Sequence, residues 1–279
     1  MISIMINKSC LQGLFPSAGS IEKKIVFITN SPHGKDSQNL NFRKKRCCKI
    51  CCFSTEEPRV EEMKYNTIIF DFDYTLADAT DGIVSSFNHA FSELGLAGCD
   101  IESIKRTVGL SLDEAFVQLT ANKDKALISR FKILFKEKAD EVMSKNTVLF
   151  DDTISTLRQL KHDGLNTGIV TTKYHYRIVE TLNTHGISDL VDIIVGGEDV
   201  KTPKPSPEGL LLAIDSLNAQ QNNVLYIGDS LVDAKTALAA NVDFAGITTG
   251  TTDEKEFSQY PCIRIFKNLS ELGFELPSF

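Results

Sequence analysis

Short, unbroken apolar runs recur through the second three-quarters of this chain, and each is followed by a stretch with helical spacing. The runs are Thr67-Ile68-Ile69-Phe70, Thr167-Gly168-Ile169-Val170, Val191 to Val195 and Val224-Leu225-Tyr226-Ile227. Val242 to Ile247 and Cys262 to Phe266 complete the set. A strand that is apolar at every position must be covered on both faces, which is the condition of a parallel sheet. Between the runs lie helices: Asp152 to His162 with Gly164 as its stop, Tyr174 to Thr184 ending near Gly186, a start at Ser206-Pro207-Glu208, and Leu231 to Ala240. Regular alternation of strand and helix predicts an α/β fold, a Rossmann-like parallel sheet with helices on both faces.

One block interrupts the alternation. Between the first strand and Asp152 the spacing predicts about three helices and no convincing strand. Ile83, Val84, Phe87, Ala90, Phe91 and Leu94 share a helical face, Ser111 with Glu114 forms a capping-box pattern, and Lys123 to Met143 is a long amphipathic segment. Residues 79–145 therefore read as a helical insertion. Its place directly after Asp71 favours a lid, since closure over a reacting group excludes water.

Residues 1–62 differ in character. They carry 10 Lys/Arg against 6 Asp/Glu, although the whole chain has a net charge of −7. They also hold five of the seven cysteines: Cys10, Cys47, Cys48, Cys51 and Cys52. No second Cys or His pair stands at zinc-finger spacing. We read this segment as a disordered or non-native N-terminal extension, with 63–78 and 146–279 forming the α/β core. Cys99 and Cys262 alone in the body offer no disulfide framework and fit a reducing, cytoplasmic compartment. The acidic balance argues against nucleic acid and membrane surfaces as partners. No apolar stretch approaches the roughly 20 residues of a membrane span. The pattern leaves oligomeric state open.

Ligand sites in open parallel sheets form beyond the carboxyl ends of the strands. Asp71 ends the first strand, Thr171 the second, Asp229 follows Val224 to Gly228, and Lys204 stands in a proline-stiffened loop after Val195. Asp71 and Asp73 supply a nucleophilic carboxylate and a second acid for proton transfer. Thr171 and Thr172 supply hydroxyls, Lys204 a point charge, and Asp229 with Asp233 the hard oxygen ligands that Mg²⁺ prefers. This is an inventory for moving a phosphoryl group. His33, His89, His162, His175 and His185 make no ligand spacing, Cys99 reads as a packing residue, and no P-loop or dinucleotide fingerprint is present.

These segments resemble the four signature motifs of the haloacid dehalogenase-like hydrolase superfamily. Asp71-Phe72-Asp73-Tyr74-Thr75-Leu76-Ala77-Asp78 is similar to its D-x-D-x-T-L-x-D opening. Val170-Thr171-Thr172-Lys173, Lys204-Pro205-Ser206-Pro207 and Gly228-Asp229-Ser230-Leu231-Val232-Asp233 are similar to the other three. The insertion, with Val108-Gly109-Leu110-Ser111-Leu112, resembles the small helical cap of the phosphoglycolate phosphatase-like branch. The resemblance implies Asp71 as nucleophile and Asp73 as general acid/base. It implies Mg²⁺ on Asp71, the Asp73 carbonyl and Asp229, with Asp233 supporting the metal or orienting Lys204. It implies a phosphatase acting on a small phosphorylated metabolite. A phosphosugar mutase of the beta-phosphoglucomutase type, a pyrophosphatase and a non-catalytic phospho-ligand-binding relative are the alternatives. Many members have glycine where this chain has Tyr74, so Tyr74 either packs against the cap, the reading we favour, or narrows the space between loop and cap and bears on specificity.

Overall fold

The structure, a computed structural model, describes residues 64–274 of the 279. The expectations for residues 1–62 lie outside the described residues.

Six parallel strands form the sheet: β1 (Thr67–Phe70), β4 (Asn166–Val170), β5 (Ile193–Val195), β6 (Val224–Gly228), β7 (Asp243–Ile247) and β8 (Arg264–Phe266). Their order across the sheet is β5-β4-β1-β6-β7-β8. The chain thus builds outward from β1 on one side, then crosses back to add β6 on the other. β1 pairs with both neighbours in register, Phe70 standing opposite Ile169 on β4 and Ile227 on β6. Such a reversal of winding direction opens a crevice at the carboxyl end of the central strand.

β1 is buried along its whole length, and its side chains divide between two cores. Ile68 and Phe70 pack with Leu157 and Leu160 of α5 (Thr153–His162) and with Ile178 and Leu182 of α6 (His175–Thr184). Ile69 packs on the other face, with Leu210 and Ile214 of α7 (Glu208–Ser216) and Ala234 and Ala237 of α8 (Leu231–Ala240). Alternate residues of a strand point to opposite faces, so a run apolar throughout serves both cores. Helices on both faces of a parallel sheet are therefore the observed architecture.

Four helices leave the sheet after β1: α1 (Thr80–Glu93), α2 (Ile101–Lys105), α3 (Leu112–Thr120) and α4 (Lys125–Val142). They share a core of their own. Phe131 of α4 meets Phe87 and Phe91 of α1 and Phe116 of α3 at centroid separations of 5.4, 5.7 and 4.9 Å. Each buried ring contributes roughly 1.5–3 kcal/mol by removal from water. The α3 start is the Ser111–Glu114 capping box, with both reciprocal bonds formed.

The expectation of about three helices and no strand in this block is corrected in two ways. The short helix α2 starts at Asp100, whose side chain accepts from the Ser103 amide, and it is too brief to show periodicity. Two two-residue strands, β2 (Ala77–Asp78) and β3 (Val148–Leu149), pair antiparallel where the chain enters and leaves the helices. Pairs this short leave no alternation to read. The α7 start also differs: Pro207 occupies the cap position, and the Ser206 hydroxyl accepts from the Glu208 amide at 3.3 Å. Among the described residues, no helix is long and apolar enough to cross a membrane.

Candidate active site

The loop after β1 begins as an extension of the sheet. The Asp71 amide donates to the Ile227 carbonyl at 2.8 Å. The chain then turns tightly, the Phe72 carbonyl accepting from the amides of Leu76 and Ala77 at 2.9 and 3.1 Å. Phe72 is fully buried in the sheet core. With the ring committed inward, the flanking Asp71 and Asp73 stand at the crevice. Asp73 is 8% exposed and Asp71 2%.

Lys204 reaches this loop from the segment after β5. Its Nζ lies 3.0 Å from Asp71 Oδ1 and 2.6 Å from Asp233 Oδ1. It also donates to the Tyr226 hydroxyl at 3.2 Å. The Tyr226 hydroxyl in turn lies 2.9 Å from Asp233 Oδ1 and 3.0 Å from the Val170 carbonyl oxygen. Asp233 Oδ2 accepts from the Ser230 amide and hydroxyl at 3.1 and 2.5 Å, the capping box of α8. Asp233 is therefore saturated: one oxygen holds Lys204 and Tyr226, the other closes the helix start.

Asp71 Oδ1 is the opposite case. It is buried and is met by the Lys204 ammonium at 3.0 Å, with no hydrogen bond from a neutral donor. Ligating atoms of Asp71, Asp229 and Asp233 all lie within 4.8 Å of one another, and all three residues are buried. Three carboxylates facing one ammonium leave an excess of negative charge. Burial pushes the Asp71 carboxyl up to about 6, with Lys204 pulling against it. Burial also raises the Asp229 carboxyl well above its usual range, with Asp233 and Asp71 adding to the effect. For Lys204, burial alone would disfavour the ammonium, but Asp233 and Asp71 outweigh it and raise its pKa.

A buried carboxylate oxygen met by a single ammonium, a cluster of hard oxygen donors and a surplus of negative charge fit a divalent cation. Space beside Asp229 is kept by Gly250, where an added Cβ would sit 2.0 Å from Asp229 Oδ2.

Thr171 follows β4 and is buried, its hydroxyl accepting from the Lys173 amide at 3.3 Å. Thr172 lines a cavity that also includes Asp73. The structure thus brings Asp71, Asp73, Thr171, Thr172, Lys204, Asp229 and Asp233 to the carboxyl edge of β1, β4 and β6. Over the crevice lies the loop before α3. There Gly109, at φ +92°, approaches Ser230 so closely that a Cβ would meet its hydroxyl at 3.3 Å.

Residues 68–247 match the haloacid dehalogenase-like hydrolase family. The chain belongs to the haloacid dehalogenase-like hydrolases. Pyrophosphatase PpaX of Bacillus velezensis is 28% identical over 211 residues, spanning 76% of this chain and 96% of that protein. The phosphoglycolate phosphatase of Yersinia pestis is 29% identical over 187 residues, 66% of this chain and 81% of that protein. A crystal structure from Bacteroides fragilis, named for the same family, shares 49% identity. It superposes with a TM-score of 0.73, covering 75% of this chain and 100% of that one.

This hydrolase carries three site residues to which the sequence reading assigned no role. Lys173 Nζ donates to Asp73 Oδ1 at 2.8 Å, its side chain 4% exposed. A lysine directly after two strand-end hydroxyls was the available signal. Tyr226 is a phenol inside an otherwise aliphatic central strand, and a buried hydroxyl in such a place requires a partner. Gly250 carries no local signal at all, because its reason is the approach of Asp229.

Tyr74 stands between the loop and the start of α1. Its φ is +60°, the left-handed region in which glycine is the easy residue. The side chain is 3% exposed, its hydroxyl 2.9 Å from Thr80 Oγ1 at the start of α1. Its carbonyl accepts from the Thr249 hydroxyl. It is not among the residues lining the cavity. Of the two readings of Tyr74, this contact accords with packing between the loop and α1. The left-handed backbone turns its ring toward the helix.

Proposed function

We propose that this chain is a Mg²⁺-dependent phosphohydrolase that cleaves a small phosphorylated metabolite through an aspartyl-phosphate on Asp71. The observation that carries the reading is Asp71 Oδ1, buried at the mouth of the parallel sheet and 3.0 Å from the Lys204 ammonium, within the cluster of Asp71, Asp229 and Asp233.

In this reading the Asp71 carboxylate attacks phosphorus. A P–O bond to Asp71 forms while the ester oxygen departs and takes a proton from Asp73. Asp73 then removes a proton from water, which attacks the same phosphorus and releases phosphate and the free Asp71 carboxylate. Lys173 holds Asp73 in place for both transfers. Lys204, Thr171 and Thr172 bind the non-bridging oxygens, and Asp233 with Tyr226 fixes the ammonium of Lys204. The Asp71 carboxylate, the Asp73 carbonyl and Asp229 would hold Mg²⁺, which neutralises charge on the transferring group when bound. Residues 79–145 act as the cap that keeps bulk water from the reacting centre. A cytoplasmic location accords with the cysteine usage.

A pyrophosphatase is the second reading, favoured by the similarity to PpaX across 96% of that protein. The test is turnover of p-nitrophenyl phosphate with Mg²⁺, with EDTA, and by Asp71→Asn. Hydrolysis that requires Mg²⁺ and vanishes in Asp71→Asn supports the reading. Wild-type turnover no greater than that of Asp71→Asn removes it. Phosphate release from pyrophosphate and from monoesters separates the two readings.

A further inference from the structure

The cavity beside Asp73 encloses about 310 Å³, near the lower end of volumes typical of small-molecule sites. From the helical segment its apolar lining includes Ile83, Phe87, Leu112, Ala115, Phe135 and Met143, beside the polar Thr107, Ser111, Asp113 and Lys132. The six apolar residues belong to or pack against the phenylalanine core of α1–α4. These six side chains form an apolar wall on one side of the cavity.

The same cavity meets four cations, and their partners decide what can bind. Lys132 is paired with Asp113 at 2.8 Å. Lys173 is paired with Asp73 at 2.8 Å. The Arg177 guanidinium is paired with Asp140 at 2.6 Å, donates to the Lys136 carbonyl at 3.3 Å and lies over the Tyr174 ring. Lys201 is solvent-exposed and stands in the field of Glu208, whose carboxylate accepts from the Lys201 and Thr202 amides at 2.9 and 3.0 Å. Lys173 and Arg177 are enclosed and committed to carboxylates, while Lys132 pairs with Asp113 at the solvent-exposed rim and Lys201 stands in water. The phosphoryl group has Lys204 and the metal-ligand cluster on its side of the crevice. A second anionic group under the helices would lose its hydration and find no enclosed, uncommitted cation. An apolar group there finds a matching wall.

We infer that the leaving group of the true substrate is small, uncharged and largely apolar, and that esters carrying a second anionic group are selected against. This rests on the phosphohydrolase reading above and narrows it away from phosphoglycolate and pyrophosphate. Selection arises because an unpaired charge is excluded from the cavity, so its effect falls on KM more than on kcat.

The test uses the full chain with Mg²⁺ and two esters of similar leaving-group reactivity, benzyl phosphate and 4-carboxybenzyl phosphate. The expected result is a kcat/KM higher for benzyl phosphate on the order of 10- to 100-fold, most of it in KM. Asp113→Asn, at a pair whose side chains are 41% and 50% exposed, frees Lys132 and is expected to narrow that ratio several-fold. Equal use of the two esters, or faster cleavage of 4-carboxybenzyl phosphate, phosphoglycolate or pyrophosphate, overturns the inference and leaves the phosphohydrolase reading standing. Calorimetric titration with benzylphosphonate and 4-carboxybenzylphosphonate probes the cavity without turnover. Tighter binding of benzylphosphonate is expected, and equal or reversed affinity overturns the inference. If no phosphate compound is turned over beyond the Asp71→Asn level, the phosphohydrolase reading fails, and the phosphonate preference alone decides the character of the cavity.

Discussion

Lys173 Nζ lies 2.8 Å from Asp73 Oδ1, across 100 residues of sequence, and both side chains are buried. The ammonium fixes the carboxylate at the crevice where Asp73 would exchange protons with the leaving group and with water. Lys173→Met leaves that carboxylate without its partner. Breaking a buried pair by removing one member costs about 3 kcal/mol or more of stability. The turnover number is expected to fall on the order of 10- to 100-fold, short of the full 10²–10⁴ that a positioned acid/base supplies. The double variant Lys173→Met/Asp73→Asn should recover most of the stability in urea titration and none of the turnover. Full activity in Lys173→Met would place Asp73 outside the reaction.

Gly250 is needed for what stands beside it. An added Cβ would fall 2.0 Å from Asp229 Oδ2, so Gly250→Ala must displace that carboxylate. The Mg²⁺ concentration for half-maximal rate is expected to rise about 10-fold or more, in the range seen when a metal site's supporting residues are altered. Far-ultraviolet circular dichroism of the variant should match the wild type. An unchanged Mg²⁺ dependence would remove Asp229 from the metal site.

Burial raises the Asp71 carboxyl to about 6 in the absence of metal. A carboxyl whose folded pKa lies above its unfolded value, roughly 4, contributes its stability fully below that unfolded value. The contribution is lost as pH rises through about 6. A cation that binds the carboxylate form reverses this loss. Mg²⁺ should therefore raise Tm more at about pH 7.5 than at about pH 5, measured against EDTA-treated protein by differential scanning fluorimetry. Equal shifts at both pH values would mean that the ion binds away from Asp71.

Tyr74→Phe removes the hydroxyl that meets Thr80 Oγ1 at 2.9 Å. The expected cost is about 1 kcal/mol of stability. The order of preference among phosphate esters should stay as it is in the wild type, because the ring does not line the cavity. A reordered preference in a panel of monoesters would return Tyr74 to a role in specificity.

The sheet was legible because its strands are apolar along most of their length, and Ile68, Ile69 and Phe70 divide between two cores. Once strand ends are known, the parallel arrangement carries Asp71, Thr171 and Asp229 to one edge. Beyond Lys204 with Asp233, which the family resemblance suggested, pairings between distant positions were not legible. Nothing near Lys173 in sequence points to Asp73, and nothing near Gly250 points to Asp229. Tyr226 gave only the hint of a phenol among aliphatic residues. β2 and β3 escaped because two residues make no pattern. Residue type alone left two readings of Tyr74 open, because its φ of +60° is a backbone choice that tyrosine does not suggest.

The account centres on Asp71 as the group that receives the phosphoryl. Rapid quenching during turnover, followed by borohydride reduction and peptide mass spectrometry, measures this directly. An acyl phosphate on Asp71 is reduced to homoserine at position 71, and the account predicts that product in the wild type under Mg²⁺ and its absence with EDTA. Turnover that proceeds with Asp71 recovered unmodified, and that persists in Asp71→Asn, would contradict it.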